Sequence, residues 1–171
     1  MISASFVQAL SDHIDPLALG CAGSNPQALF AAIDAFARQP LAHRLCTVNR
    51  YDPGPMTVVR QYSSNPQAYP AGGMKHKAGT PWGRQVLLEQ RLFVGEGPEA
   101  IRQAFDDHAA IEALGLRSVI NVPVVARGAC LGTVNFLMTA EKVEPGHVAV
   151  ARLCGLLAVP GFLPAAGQAP G

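Results

Sequence analysis

The stretch RSVINVPVVARGACLGTVNFLMT, residues 117–139, is the strongest strand signal in the chain. Two apolar runs flank Arg127 and Gly128, a pair that is typical of a tight hairpin turn. Strands joined by so short a connection are antiparallel neighbours. We therefore predict a β-hairpin here and work outward from it to the rest of the domain.

Alternation along the two strands divides the hairpin into two faces. With the turn at Arg127-Gly128, Asn121 is expected near Thr133 and Val119 near Asn135. One predicted face is uniformly apolar, and it consists of Ile120, Val122, Val124, Val134 and Phe136. The other carries Val119, Asn121, Pro123, Thr133 and Asn135. Such a sheet must be covered on both sides, and we expect terminal helices on the apolar face and a polar partner on the asparagine face.

The remaining elements predict an α+β fold with a central antiparallel sheet. The expected order is helix, two strands, a long connection, helix, strand, helix, the hairpin above and a last helix; residues 98–114 are predicted as one helix. Proline suits a first helical turn, and Pro26, Pro81, Pro98 and Pro145 each precede or open a helical pattern. The predicted organisation is an N-terminal helical extension (1–24), one domain (25–159) and a flexible C-terminal tail (160–171).

Composition limits the classes of function. The chain of 171 residues is 49% hydrophobic, only 15% charged and carries a formal net charge of +1. Without a basic run, nucleic acid is not expected as a partner, and no uninterrupted apolar stretch approaches the ~18–20 residues of a membrane helix. We expect a cytoplasmic protein. Because polar surface is scarce, we expect a homodimer.

The cysteines and histidines do not form a metal-binding pattern. The cysteines are Cys21, Cys46, Cys130 and Cys154, and no two of them form a C-x-x-C pair. No histidine lies beside them at the spacing of zinc ligands. The sequence therefore predicts neither a zinc site nor structural disulfides.

The connection YSSNPQAYPAGGMKHKAGTPWG, residues 62–83, is unusually long. Ordinary connections are about 4–6 residues, and longer structureless ones are often functional. This one contains Tyr62, Tyr69 and the only tryptophan, Trp82, together with several glycines. Aromatic side chains on a hinged segment are typical of a pocket wall, although Tyr69 and Trp82 could equally cap a core.

The segment SVINVPVVARGACLGTVNFL, residues 118–137, resembles the GAF domain family, in which a strand leads through a "vPv" segment and a glycine turn into an "xLGxxxf" strand. The order of elements over residues 26–159 is similar as well. The resemblance implies a PAS-like sheet of about five to six strands. It places the terminal helices, which often mediate dimerisation, on one face. On the other it places a small-molecule pocket covered by loops and short helices, where the 62–83 connection would lie.

Departures from the family leave the ligand and any cofactor unidentified. The segment AFDDH does not reproduce the residues that bind cyclic nucleotides in some GAF domains, and DDHAAI lacks the cysteine that holds a tetrapyrrole in others. Free methionine sulfoxide reductases share the fold and use pocket cysteines. Here Cys46, Cys130 and Cys154 are predicted on strands and the last helix, and buried thiols in apolar surroundings are unreactive.

We therefore expect a sensor or regulatory domain that binds a small molecule and signals through dimerisation or a separate partner. The alternative is a thiol-dependent reductase of the methionine sulfoxide type. No catalytic residue is assigned. The candidate ligand-binding residues are Tyr62, Tyr69, Trp82, Asp107, His108, Ser118, Asn121 and Asn135. Arg60 and the Lys75–Lys77 cluster could bind an anion, but such residues are more often solvated.

Overall fold

The computed structural model describes residues 4–164 and Gly167. Within residues 4–164 the strands form one antiparallel six-stranded sheet in the order β3-β2-β1-β6-β5-β4. The strands are β1 (His43–Asp52), β2 (Thr57–Ser63), β3 (Met74–His76), β4 (Phe93–Glu96), β5 (Ser118–Ala126) and β6 (Ala129–Met138). The helices are α1 (Ala4–Ala22), α2 (Pro26–Leu41), α3 (Gly97–Ala104), α4 (His108–Ala113) and α5 (Pro145–Ala158), with a π-helix at Gly83–Leu88 and a 3-10 turn at Val159–Phe162. The predicted α+β class is confirmed.

The β5–β6 hairpin forms at the predicted turn. Arg127 and Gly128 both have positive φ, at 51° and 79°, as the favoured two-residue turn requires. The predicted register is wrong by two residues, because Asn121 pairs with Asn135 and Val119 with Leu137. A bulge in which Leu131 is the extra residue contributes to this shift. An error of two residues preserves the side-chain alternation, so both predicted faces are confirmed.

Helices α1, α2 and α5 cover the apolar face of the sheet. The core on this side joins Phe36 of α2 and Cys154 of α5 to the strand residues Ile120, Val134 and Phe136. Asn25 caps α2 by accepting a hydrogen bond from the backbone N–H of Gln27 at 3.0 Å. We call the apolar face of the sheet, with its three covering helices, the helix side.

The two chain ends pack on the helix side as far as they are described. In α1, part of the predicted 1–24 extension, Phe6 meets Phe36 of α2 edge to face, with ring centroids 6.1 Å apart. In the predicted tail, Phe162 is buried against Phe30, with centroids 5.6 Å apart. The tail residues beyond 164, apart from Gly167, lie outside the described residues.

The segment Pro145–Phe162 is long and apolar enough to cross a membrane by length and composition. A core helix passes the same test, and Val150, Ala151 and Cys154 of this segment are buried in the helix-side core. Packing within the domain therefore accounts for part of its apolar character, and Leu156 remains exposed.

The opposite face of the sheet, which we call the cavity side, is covered by residues 64–82, the π-helix, α3 and α4. We call residues 64–82 the covering segment. It contains the short strand β3, which pairs with β2. The predicted single helix over 98–114 is wrong, because Phe105 is extended (φ −132°, ψ 126°) and separates α3 from α4. Phe105 packs edge to face on Phe93 at 6.0 Å, and the break turns Asp107 toward the sheet.

Candidate functional site

A cavity lies between the covering segment and the middle of the sheet. Its volume is about 60 Å³ for the centres of water-sized molecules, which is room for a few waters or a small ligand. The floor comes from β1, β2, β5 and β6, and the roof from the covering segment, Phe105, Asp107 and Ile111. The lining residues are Leu45, Thr47, Asn49, Val58, Arg60, Tyr69, Gly73, Lys75, Lys77, Trp82, Phe105, Asp107, Ile111, Val119, Asn121, Asn135 and Leu137.

A chain of hydrogen bonds crosses the floor and ties it to the roof. The Trp82 indole N–H donates to Asn121 Oδ1 at 2.9 Å, and Asn121 Nδ2 donates to Asn135 Oδ1 at 2.8 Å. Asn135 Nδ2 in turn donates to the hydroxyl oxygens of Thr47 and Thr133, each at 3.1 Å. Trp82 and both asparagines are buried, so this ladder satisfies groups that would otherwise be costly to bury.

The ladder identifies the partner that the two asparagines were expected to need. That partner is the roof itself, through Trp82, rather than open space. The ladder therefore fixes the floor and one wall of the cavity. A ligand would have to recognise other groups.

Those other groups are charged and lie at the edge of the cavity nearest β2 and β3. The Lys75 ammonium is 2.5 Å from Asp107 Oδ1, and at this distance the two charges neutralise each other. Arg60 Nη1 donates to the Pro70 carbonyl at 2.9 Å, and its guanidinium stacks 4.9 Å from the Tyr69 ring centroid. Lys77 is only 4% exposed and lies 5.0 Å from the centroid of Trp82.

Several of these groups have shifted pKa values. Burial, and then the charge of Lys75, lower the pKa of Lys77. Burial also lowers the pKa of Arg60, against the opposing charge of Asp107. Burial alone would raise the pKa of Asp107, but the hydrogen-bonding contact and charge of Lys75 outweigh it and lower that pKa. Burial and the charge of Asp107 raise the pKa of Tyr69, so its hydroxyl stays protonated as a donor.

Three buried groups at this edge lack a well-aligned hydrogen bond within the described part of the chain: Arg60 Nε, the Tyr69 hydroxyl and Asp107 Oδ1. The Tyr69 hydroxyl interacts with the Asp107 carboxylate, so Arg60 Nε is the donor that has no acceptor. Glycine makes room for Arg60, because a Cβ at Gly73 would lie 2.7 Å from Arg60 Nη1. The edge thus combines an unpaired guanidinium donor with one acidic residue, Asp107, among three basic ones.

Comparison with known proteins identifies the fold. Neither a family model nor a curated protein matches the sequence. Among solved structures, the GAF domain of a phosphoenolpyruvate-protein phosphotransferase from Coxiella burnetii matches with a TM-score of 0.72 at 12% identity, covering 91% of this chain and 92% of that one. The corresponding Acinetobacter domain matches with a TM-score of 0.71 at 10% identity over 94% of both chains. The A. aeolicus nlh2 GAF domain, solved in an inactive state, matches with a TM-score of 0.69 at 13% identity over 92% and 97%.

This chain has the GAF domain fold. The resemblance that residues 118–137 indicated is therefore confirmed at the level of fold. The cavity lies on the side of the sheet where that resemblance placed a pocket.

Five of the eight predicted ligand-binding residues line the cavity. They are Tyr69, Trp82, Asp107, Asn121 and Asn135. The two asparagines already use side-chain hydrogen-bonding groups within the ladder. Tyr69 and Asp107 belong to the charged edge, so they remain the predicted residues best placed to meet a ligand.

Tyr62 is a correction, because it lies on the helix side. Strict alternation from Val58 and Arg60 would turn it toward the cavity. A bulge makes Gln61 an extra residue, so Tyr62 pairs with Val48 while Arg60 pairs with Asn49. The Tyr62 hydroxyl donates to Asp34 Oδ2 of α2 at 2.8 Å.

Ser118 and His108 are also placed away from the cavity. Ser118 is on the same face of β5 as Ile120, and its hydroxyl donates to the Ala140 carbonyl at 2.6 Å. The alternation that directs Asn121 to the cavity directs Ser118 away from it. His108 opens α4 after the break and lines a separate surface depression with Glu112 and Pro98.

The prediction left Arg60, Lys75 and Lys77 outside the site, although all three line the cavity. The signal that could have found the lysines is their spacing. In the extended run Lys75-His76-Lys77, residues two apart share a face, so both lysines could turn inward together. Arg60 alternates with Val58, which also faces the cavity.

The cysteines of the GAF domain do not line the cavity, as far as residues 4–164 are concerned. Cys46 and Cys154 are buried in the helix-side core, where burial raises the pKa of both thiols. Cys130 is partly buried and burial raises its pKa too. The reductase alternative therefore gains no support from the geometry. Over the same residues no cluster of His, Cys, Asp and Glu could hold a metal ion.

Proposed function

We propose that this GAF domain is a regulatory sensor that binds a small molecule between the covering segment and the sheet. The observation that carries the proposal is the cavity itself, at whose edge the buried Nε of Arg60 lacks a partner in residues 4–164. Buried polar groups are nearly always hydrogen-bonded, so an orphaned group at a cavity favours an absent ligand. The description of the A. aeolicus neighbour as inactive supports a regulatory role.

The contacts of the cavity suggest how binding would be transmitted. The covering segment is joined to the sheet by β3 and by the Trp82–Asn121 hydrogen bond. It is joined to the α3–α4 turn by the Lys75–Asp107 ion pair. A ligand at the charged edge would contact both connections, and it would change how firmly the roof is held.

Trp82 provides a direct test, because it is the only tryptophan of the chain. Native mass spectrometry of protein purified from cells should show a bound small molecule, and its release and return should shift the indole ¹H–¹⁵N signal of Trp82. Val119 is buried in the floor, so Val119→Phe should fill the cavity and abolish binding. The exposed change Val7→Phe on α1 is the matched control. An empty cavity in every preparation, with no binding from a metabolite screen, would refute the proposal.

The second part of the proposal is that the signal passes through a homodimer formed by the terminal helices. Leu19 of α1 is 75% exposed and Leu156 of α5 is 69% exposed, and a dimer formed by these helices would cover both leucines. Sedimentation equilibrium should show a dimer that Leu156→Glu dissociates. Leu88→Glu, at a leucine on the cavity side that is 57% exposed, is the control. A wild-type monomer at all concentrations would contradict this part and leave ligand binding intact.

A further inference from the structure

We propose that the ligand is a small carboxylate, with its charged group against Arg60, Tyr69 and Lys77 and its short hydrocarbon part on the apolar half of the floor. This inference rests on the sensor function proposed above and names the chemical class of its ligand.

The first argument is the balance of charge. The charged lining residues are Arg60, Lys75, Lys77 and Asp107. Lys75 and Asp107 neutralise each other across 2.5 Å. Arg60 and Lys77 make no ion pair within the described residues, and the single negative charge of Asp107, already paired with Lys75, is the acidic charge in the lining that acts on both. A buried charge is costly unless it is paired, so the cavity is complementary to an anion.

The second argument is the set of unused donors. Arg60 Nε is buried without a hydrogen bond, and the Tyr69 hydroxyl, on a side chain that is 8% exposed, has only the Asp107 carboxylate as an acceptor. Lys77, at 4% exposure, has the Trp82 ring beside it and makes neither an ion pair nor a hydrogen bond within residues 4–164. All three groups donate, and an ionised carboxylate only accepts. The guanidinium stacks on the Tyr69 ring and donates from Nη1 to the Pro70 carbonyl, which preorganises Nε for such a contact.

The third argument separates a carboxylate from inorganic phosphate. The floor changes character across the sheet: Arg60 pairs with Asn49 at one end, while Leu45, Leu137 and Val119 form a continuous apolar row at the other. Ile111 closes the apolar end from above. A phosphate ion would satisfy the charged edge and leave the apolar end empty, whereas a short carboxylic acid matches both ends.

A titration monitored by the Trp82 indole signal tests the inference. The probes are acetate, butyrate, succinate and glutarate, each with its uncharged amide, and inorganic phosphate. At least one carboxylate should shift the signal and bind about tenfold or more tightly than its amide. Its affinity should fall by about tenfold or more in Lys77→Met. Lys142→Met, at an exposed lysine outside the cavity lining, should leave it unchanged.

The outcomes divide cleanly. Amides that bind as tightly as the acids, or an affinity that survives Lys77→Met, would overturn the carboxylate assignment while leaving a ligand-binding domain. Tighter binding of phosphate than of any carboxylate would also overturn it. If no probe shifts the signal, the inference is wrong. The sensor function is tested independently by the native mass spectrometry described above. Should Lys77→Met fail to fold by circular dichroism, Arg60→Gln provides the same comparison.

Discussion

The two sides of the sheet each bury a group of polar residues, and the two groups are built in opposite ways. On the helix side, His43 Nε2 lies 2.6 Å from Asp34 Oδ1, while Tyr62 and Arg38 donate to Asp34 Oδ2 at 2.8 and 2.9 Å. Donors there converge on one carboxylate. On the cavity side the proportion is reversed, because Arg60, Lys75 and Lys77 line the cavity with a single carboxylate, that of Asp107.

This difference separates a structural polar cluster from a recognition site. The Asp34 cluster joins α2 to β1 and β2, and over the described residues only the Nδ1 atom of His43 lacks a partner in it. Such a network rigidifies a core because every removal leaves a buried partner unpaired. An incomplete cluster destabilises the free protein and is relieved when a ligand supplies the missing partner. Substitutions should therefore act on stability on the helix side and on binding on the cavity side.

The largest expected effect is on the helix side. Asp34→Ala removes the acceptor that His43, Tyr62 and Arg38 share, and it should lower the free energy of unfolding by about 3–5 kcal/mol. The matched change on the cavity side, Asp107→Ala, removes a partly exposed partner of Lys75 and should lower it by less than about 1 kcal/mol. Urea unfolding followed by circular dichroism measures both. Equal losses would remove the distinction between the two sides.

The amide ladder should give the next largest effect, and it tests which polar groups of the cavity side are structural. Asn135→Ala leaves Asn121 and the hydroxyls of Thr47 and Thr133 without their bonds, which should lower the free energy of unfolding by about 2–3 kcal/mol. Asn49→Ala is the control, since Asn49 makes only a long 3.5 Å contact to Thr133. A negligible effect of Asn135→Ala would show that the ladder does not hold the floor.

Acid stability sharpens the comparison further. Burial alone would raise the pKa of Asp34, but hydrogen bonds from His43 and Tyr62 and the charges of His43 and Arg38 lower it below 3.8. Because the folded-state value is depressed, the stability from Asp34 is fully present above about pH 3.8 and is lost as pH falls through the folded-state pKa. Unfolding measured from pH 6 down to pH 2 (about the range in which carboxylates titrate) should show this loss. Asp34→Asn should reduce the pH dependence of the free energy of unfolding in this range, and an unchanged pH dependence would contradict its assignment to Asp34.

A glycine on the cavity side should affect binding more than stability. A Cβ at Gly73 would meet the end of the flexible Arg60 side chain at 2.7 Å, so Gly73→Ala should displace the guanidinium. It should lower the free energy of unfolding by less than about 1 kcal/mol. The affinity for a bound carboxylate should nevertheless fall by about tenfold. Gly146→Ala, where the added Cβ meets nothing within 4 Å, should change neither quantity. Unaltered affinity in Gly73→Ala would remove Arg60 from the site.

The sequence was sufficient for the faces of the sheet but not for every residue of the site. Alternation predicts that Asn121 and Asn135 share the cavity face, because a period of two survives a register error of two. Tyr62 was assigned to the wrong side because the bulge at Gln61 depends on pairing with β1, which is not visible in the local pattern.

The basic residues of the charged edge were left out of the predicted site for a different reason. Lys77 in isolation looks like a solvated lysine, since nothing in its neighbourhood of the sequence shows that Trp82 will lie beside it. Asp107 was predicted, but it faces the cavity because Phe105 interrupts the helix that the sequence predicted. In both cases tertiary packing determines where the side chain lies.

The central claim is that Lys77 serves to bind an anion and lowers the stability of the free protein. Urea unfolding tests this claim most directly, on wild type and Lys77→Met, each with and without the best-binding carboxylate. Without the anion, Lys77→Met should be the more stable protein by about 1 kcal/mol, because it removes a buried, unpaired charge while losing only the contact with Trp82. Adding the anion should stabilise wild type and leave Lys77→Met unchanged. A destabilised variant that the anion stabilises as much as wild type would contradict the account.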